Sequence, residues 1–396
     1  MPSTLTVPGH ELYERISSLE HPPLDRSARR AALERFFSLR SGREKPGRFW
    51  RLDFEAILPP AGAIDLSGGG FRVDNAGDGV LVCDLGTAVR EHPDLLARAF
   101  GTTGIANTKF GALAEAFAGL GAFIYLPADR AYDEPILIRC DAAPGAAIFP
   151  WNVVLAERGA SATIVERITG SGDAFVCGAA EIVTEENADV TYAVLQRASE
   201  SARIITTRSA RPGRDATVSW ACAELGGRLA AGDLSVEFDH PGARADVTGI
   251  FFPRSTQHVD VVSTVDHRAG EATSETMIKS AASERGQARF LGNIRIAPHA
   301  QGSDARLRDD ALLLSTTAHI DSVPALEIGA NDVKAYHGAT VGAIDVDQIF
   351  YMESRGIERY AAERMIALGF FEPAIERFPT ARLRDEIRAA LAEKLS

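Results

Sequence analysis

The chain has 396 residues, 45% hydrophobic and 24% charged, which exceeds one ordinary core and excludes a disordered segment. A formal net charge of −12 with no block of lysine or arginine opposes a phosphate backbone, so no nucleic-acid partner is expected and a basic protein surface suits the chain better. Four cysteines, Cys83, Cys140, Cys177 and Cys222, stand far apart with no CxxC pair, which argues against a disulfide framework and for a reducing compartment.

The first residues, Met1 to Thr6, lack a basic stretch followed by an apolar one, so no secretory signal is expected. The longest uncharged run, Ala142 to Ala156, is broken by Pro144 and Pro150 and falls short of the roughly 20 apolar residues that cross a bilayer. The expectation is a cytoplasmic protein with no membrane contact.

Along the chain, Leu24 to Arg40 places Ala28, Ala31, Ala32, Phe36 and Leu39 on one helical face and predicts an amphipathic helix. Gly42 and Pro46-Gly47 stop it, and Arg48-Phe49-Trp50-Arg51 leads into a Pro/Gly-rich connector at Pro59 to Gly70. Residues 1–70 are read as a helical N-terminal region with its connector. The Gly68-Gly69-Gly70 run has neither the spacing nor the strand-to-helix context of a nucleotide fingerprint.

From about Val80 the texture turns to short β-rich runs punctuated by Gly, Asn and Asp. A turn-forming or small residue followed by Ala recurs at Gly145-Ala146, Gly159-Ala160, Asp173-Ala174, Asn187-Ala188, Ser201-Ala202 and Asp215-Ala216, each pair 14 positions after the last. The phase returns at Gly242-Ala243, Thr256-Gln257, Gly270-Glu271, Thr317-Ala318 and Asn331-Asp332. Each repeat carries one run such as Ser161 to Ile168, rich in β-branched residues, and a lone strand with its turn cannot bury its own apolar face. Stacked repeats whose strands alternate between two facing sheets make a flattened parallel β-helix. An antiparallel meander or sandwich is the alternative, and the scarcity of Asn-Gly and Asp-Gly hairpin turns favours the solenoid. The β pattern covers residues 71–344.

Residues 345–396 read as a helical C-terminal domain. Asp345 with Gln348 offers a capping box for a helix that ends near Gly356. A second helix runs from Ile357 to Leu368 and stops at Gly369. A third, Thr380 to Leu395, carries Leu383, Ile387, Leu391 and Leu395 in one stripe, read as core rather than docking surface, with Phe370-Phe371 as an apolar pair for a partner. Such helices are expected to cap the end of the solenoid.

Catalytic signatures are absent from the sequence: there is no GxxxxGK[ST] phosphate loop and no GxSxG elbow. His258, Asp260, Asp266 and His267 are residue types that ligate metals, but three share one strand parity and His267 takes the other, so they are read as solvated surface residues. His337 follows a β run and precedes a Gly-rich stretch, near the end of the stack; by position alone it reads as a structural histidine.

Ala311-Leu312-Leu313-Leu314, Pro324 to Ile328, Asp332-Val333-Lys334 with His337 to Gly342, and Phe350 to Ile357 together resemble the SufB/SufD scaffold proteins of iron–sulfur cluster biogenesis, with a weaker echo at Gly121 to Pro127 and Glu134 to Ile136. His337-Gly338, where the SufB branch would read His-Glu, resembles the SufD branch. The resemblance spans roughly residues 110 to 370.

It implies a mainly β fold, a right-handed parallel β-helix flanked by helical N-terminal and C-terminal domains. It implies pairing with SufB through the β-helix core, docking of the ATPase SufC on the C-terminal helices, and self-pairing as a homodimer where SufB is missing. This chain would then be a non-catalytic subunit, with the ATPase activity in a partner. His337 falls on the family histidine that helps hold a transient iron–sulfur cluster at the SufB interface, which makes it the one metal and cofactor-binding residue implied. Many SufD sequences carry Cys two places earlier; here stands Ala335, and no thiol follows Cys222. Because such clusters are held by several thiolates, none is expected on this chain alone, and His337 supplies one ligand at most. Two alternatives stay open: a diverged SufBD paralogue that scaffolds interactions without assembling clusters, and a β-helix carbohydrate-active enzyme.

Overall fold

A computed structural model describes residues 9–19, 23–39, 52, 57–59, 64, 69–74 and 77–396. The expected stops at Gly42 and Pro46-Gly47, the Arg48 to Arg51 stretch and most of the Pro59 to Gly70 connector lie outside the described residues.

The strands alternate between two sheets, one nine-stranded and one ten-stranded. Within a sheet, each strand pairs in parallel with the strand two further along the chain: Ser161 lies beside Asp189, Asp189 beside Thr217, and Thr217 beside Arg244. Asp141 and Thr169, paired neighbours, are 28 residues apart, twice the repeat read from the sequence. The architecture is a parallel β-solenoid, and the antiparallel meander is set aside. Antiparallel pairing occurs at the early end, where Gly69–Asp74 joins Ala131–Ala142 and Leu81–Asp84 joins Ala122–Leu126.

The repeat follows from the geometry of the corners. Gly145, Gly159, Asn187, Asp215 and Gly242 take a positive φ, which Gly, Asn and Asp tolerate best. The alanine that follows closes the corner against the interior: Ala160, Ala188, Ala216 and Ala243 are all buried. Coil length then drifts. Ser209 and Ser235 pair across 26 residues, Asp260 and Arg289 across 29, and Lys279 and Asp310 across 31, so the 14-residue phase fades in the second half.

Inward rows of Ile, Val and Ala fill the space between the sheets, each buried methylene contributing roughly 0.8 kcal/mol. A polar row interrupts them. Asn152 Nδ2 donates to Glu166 Oε1 at 2.9 Å, the Tyr192 hydroxyl donates to Glu166 Oε2 at 3.1 Å, and Arg208 Nη1 donates to Glu224 Oε1 at 2.9 Å.

Both outer faces carry helices. Between Leu85 and Phe117 the chain is largely helical, against the expected β texture. Helix Lys109–Phe117 packs Phe110, Leu113 and Phe117 with Phe149, Phe175 and Ile205 on one sheet. Helix Arg26–Ser38 lies against it, with Arg29 donating to the carbonyls of Ala116 at 3.1 Å and Ala118 at 2.6 Å. Arg29 thus satisfies carbonyls at that helix's end, a role the apolar face did not reveal.

Helices Arg359–Ile375 and Ala381–Lys394 lie along the outer face of the other sheet instead of capping the solenoid's end. Phe371, Leu383, Ile387 and Leu391 are buried against Ala193, Ala223 and Ile250, so the leucine stripe is core as expected. Arg167 Nε and Glu386 Oε2, 2.9 Å apart, clamp helix to sheet. The first of these helices continues through Gly369 and Pro373, because burial of Phe371, Ala374 and Ile375 outweighs costs of about 1 kcal/mol for the glycine and about 3 kcal/mol for the proline. Asp345 caps helix Val346–Ser354 by accepting from the Asp347 amide.

Candidate functional site

With the helices along its sides, the late end of the solenoid stays open. The two sheet ladders end at His319–Ile328 and Lys334–Ala343, and no further strand among the described residues pairs with their outer edges. Unpaired edges of this kind are templates for another chain. Apolar side chains surround them: Val323, Ile328, Val341 and Tyr336, the last 59% exposed, with Val346, Tyr351 and Phe350 on the adjoining helix, the last 71% exposed.

Strand parity fixes which way His337 faces. Thr340 Oγ1 donates to Asp310 Oδ1 at 2.8 Å, and Lys279 Nζ donates to Asp310 Oδ2 at 2.9 Å while lying 4.5 Å over the ring of Phe370. That row therefore faces the C-terminal helices. The alternate row, Ala335, His337, Ala339 and Val341, lies above Ala305, Leu307, Asp309 and Ala311 on the lumen side. His337 is exposed because no strand among the described residues stacks over the last coil. Ala335 sits on the same inward row.

One residue of this mouth escaped the sequence reading. Asp309 is buried on the inward row beneath Ala339, and Ser322 of the facing sheet donates its hydroxyl to Asp309 Oδ2 across the lumen. Burial, reinforced by the Asp310 carboxylate, pushes Asp309 up to about 7, against the pull of the Ser322 bond. The sequence signal was the Asp309-Asp310 doublet, which must place one carboxylate inside.

The His258 to His267 residues do not converge, as parity predicted, but two are not solvated surface. His267 is buried in the lumen with Nε2 2.9 Å from Ser274 Oγ, and burial lowers it to about 4. Asp260 is buried and accepts from Arg289 Nε at 2.8 Å, while Asp266 accepts from Arg268 at 3.0 Å. Among the described residues no group of three or more His, Cys, Asp or Glu side chains is placed to hold a metal.

The buried thiols are unsuited to ligation. Cys140, Cys177 and Cys222 are buried, and burial pushes Cys222 up to about 11 and Cys177 higher. A metal ligand is a thiolate, and these stay protonated at neutral pH. The inward rows at the mouth thus offer one accessible imidazole, His337, and one carboxyl, Asp309, a partial set of donors.

Residues 138–370 match the SUF system FeS cluster assembly, SufBD core domain. The chain is 27% identical over 325 residues to the iron–sulfur cluster assembly protein SufD of Bacillus subtilis, covering 80% of this chain and 74% of that protein. It is 30% identical over 243 residues to the SufD protein of Escherichia coli, covering 61% of this chain and 57% of that one. An iron–sulfur cluster assembly SufBD family protein of Staphylococcus saprophyticus is 26% identical over 307 residues, covering 76% and 66%. No helix among the described residues is long and apolar enough to cross a membrane. A core-domain match over more than half its length, on the parallel solenoid described above, makes the chain a scaffold protein of iron–sulfur cluster assembly, a member of the SufB/SufD family on its SufD branch.

Proposed function

We propose that this chain is the SufD-like subunit of a complex in which a second solenoid, SufB, pairs with the open edges at His319–Ile328 and Lys334–Ala343, and the ATPase SufC docks on the C-terminal helices. The observation that carries the reading is His337, inward on the last coil and uncovered, between two unpaired strand edges. A partner coil laid on those edges would enclose it and could add the thiolates this mouth lacks. His337 then gives one ligand to a transient iron–sulfur cluster, the complex's product. The chain itself is non-catalytic, with ATP hydrolysis in the partner moving the two solenoids apart. Without SufB the same edges serve a homodimer.

Ala335 favours a second reading, a diverged paralogue that scaffolds interactions without cluster assembly. A carbohydrate-active enzyme is disfavoured, since the outer sheet faces where a sugar would lie carry helices.

The test is co-expression with SufB and SufC from the same organism, with iron and acid-labile sulfide measured per complex for wild type and His337→Ala. Loss of cluster from an intact complex supports the ligand role; an unchanged cluster rejects it; failure of any complex to form favours the paralogue.

A further inference from the structure

Of Asp309's two oxygens, Oδ2 accepts from Ser322 and Oδ1 has no hydrogen-bond partner, although the side chain is fully buried. An orphaned carboxylate oxygen whose neighbours on the inward rows are Leu307, Ala311 and Ala339 is costly, and a ligand would complete it. Its surroundings point to the ligand. In the last coil only the methyl of Ala339 lies above it, Ser322 opposite is half-buried and so reaches towards solvent, and His337 is its diagonal neighbour on the same inward row. Diagonal neighbours on adjacent strands stand roughly 7–8 Å apart, a span that a cation held between an imidazole nitrogen and a carboxylate oxygen can bridge.

We infer that Asp309 Oδ1 and His337 form a two-point seat for a divalent first-row cation at the mouth of the solenoid, with Ser322 orienting the carboxylate and water or a partner filling the remaining positions. A nitrogen and a hard oxygen without sulfur suit ferrous iron or manganese, so the seat takes the metal ion before sulfur arrives. Asp310, next in sequence, is excluded by geometry: it faces outward and is held by Lys279, Arg308 and Thr340. The inference rests on the placement of His337 in the proposed function and adds the substrate's first contact to it.

Anaerobic equilibrium dialysis of ferrous iron against the full chain tests it, with wild type, Asp309→Asn, His337→Ala and Asp310→Asn in parallel and folding checked by circular dichroism. The expected result is one saturable equivalent, weakened at least tenfold by Asp309→Asn and by His337→Ala and kept by Asp310→Asn. No saturable binding by wild type, or equal binding by Asp309→Asn, overturns the seat. The outcome is separable from partner pairing, which is read by co-purification: iron bound by a chain that captures no SufB leaves the seat standing and sinks the pairing, and capture of SufB without iron binding does the reverse.

Discussion

Thr340 donates its hydroxyl hydrogen to Asp310 one coil back, at 2.8 Å, and this bond on the outer row sets the direction of every side chain in the last strand. Because successive residues of a strand face opposite sides, Thr340 outward means His337 and Ala335 inward. A one-residue slip of register would turn His337 towards the C-terminal helices and remove it from the mouth.

Two titrating groups of the lumen, His267 and Asp309, affect stability in opposite directions. His267 has a folded value near 4, below its ordinary 6.5, so the unfolded chain takes up the proton first as pH falls. Its neutral burial costs nothing above pH 6.5 and costs stability progressively from 6.5 down to 4, approaching about 3 kcal/mol. Asp309 is raised from 3.8 to about 7, so the stability of its protonated folded form is present below pH 3.8 and lost as pH rises through 7. Urea unfolding at pH 8 and pH 5 is expected to show Asp309→Asn stabilised over wild type by about 1–3 kcal/mol at pH 8 and much less at pH 5. His267→Gln flattens the acid limb instead.

Gly121 has φ +134, and a Cβ there would stand 1.8 Å from the Trp151 carbonyl oxygen. Gly121→Ala is expected to cost more than about 2 kcal/mol, since backbone must move to relieve the overlap. Glu271 also sits at positive φ, +60, with its side chain at a corner. Glu271→Gly removes the strain of a left-handed residue and is expected to raise the melting temperature, by up to about 1 kcal/mol in stability. Thermal unfolding of both variants checks the opposite signs.

The Arg208–Glu224 pair, 2.9 Å apart and about 5% exposed on each side, lies inside the solenoid. Glu224→Leu removes the hydrogen-bonded partner of the buried guanidinium and leaves Glu166 as its remaining counter-charge, with an expected loss of about 3 kcal/mol. Adding Arg208→Met restores part of it, because the pair's desolvation cost goes while Glu166 keeps its bonds to Asn152 and Tyr192 but loses its cation. Denaturant midpoints of the single and double variants decide the point.

At the open end, Tyr336 and Val341 are exposed in the isolated chain. Burying a valine contributes about 1.5–3 kcal/mol, so Val341→Asp is expected to lower SufB capture by at least tenfold while leaving the melting temperature of the free chain unchanged. Pull-down titration beside thermal unfolding separates the two effects.

The solenoid was legible because its corner chemistry is local: Asn187-Ala188 and Asp215-Ala216 declare a left-handed turn and a methyl-sized gap without reference to anything distant. The helices' position was not, since a stripe such as Leu383, Ile387 and Leu391 states that one face is buried and not against what. Helix Lys109–Phe117 was hidden in a β-like texture by its Ala and Phe content, and Arg29's capping role depends on a contact 87 residues away. At the site, only resemblance singled out His337. Asp309 could have been found from parity, but a doublet of aspartates leaves open which one faces the lumen until the Thr340 bond settles the register.

Amide hydrogen exchange across the two terminal strands, with and without SufB, tests most directly whether the open edges are the pairing surface. The account predicts fast exchange at outward-facing edge amides of His319–Ile328 and Lys334–Ala343 in the free chain, slowed at least tenfold on adding SufB. A complex that forms while these amides keep their free-chain rates, with protection gained elsewhere, would contradict it.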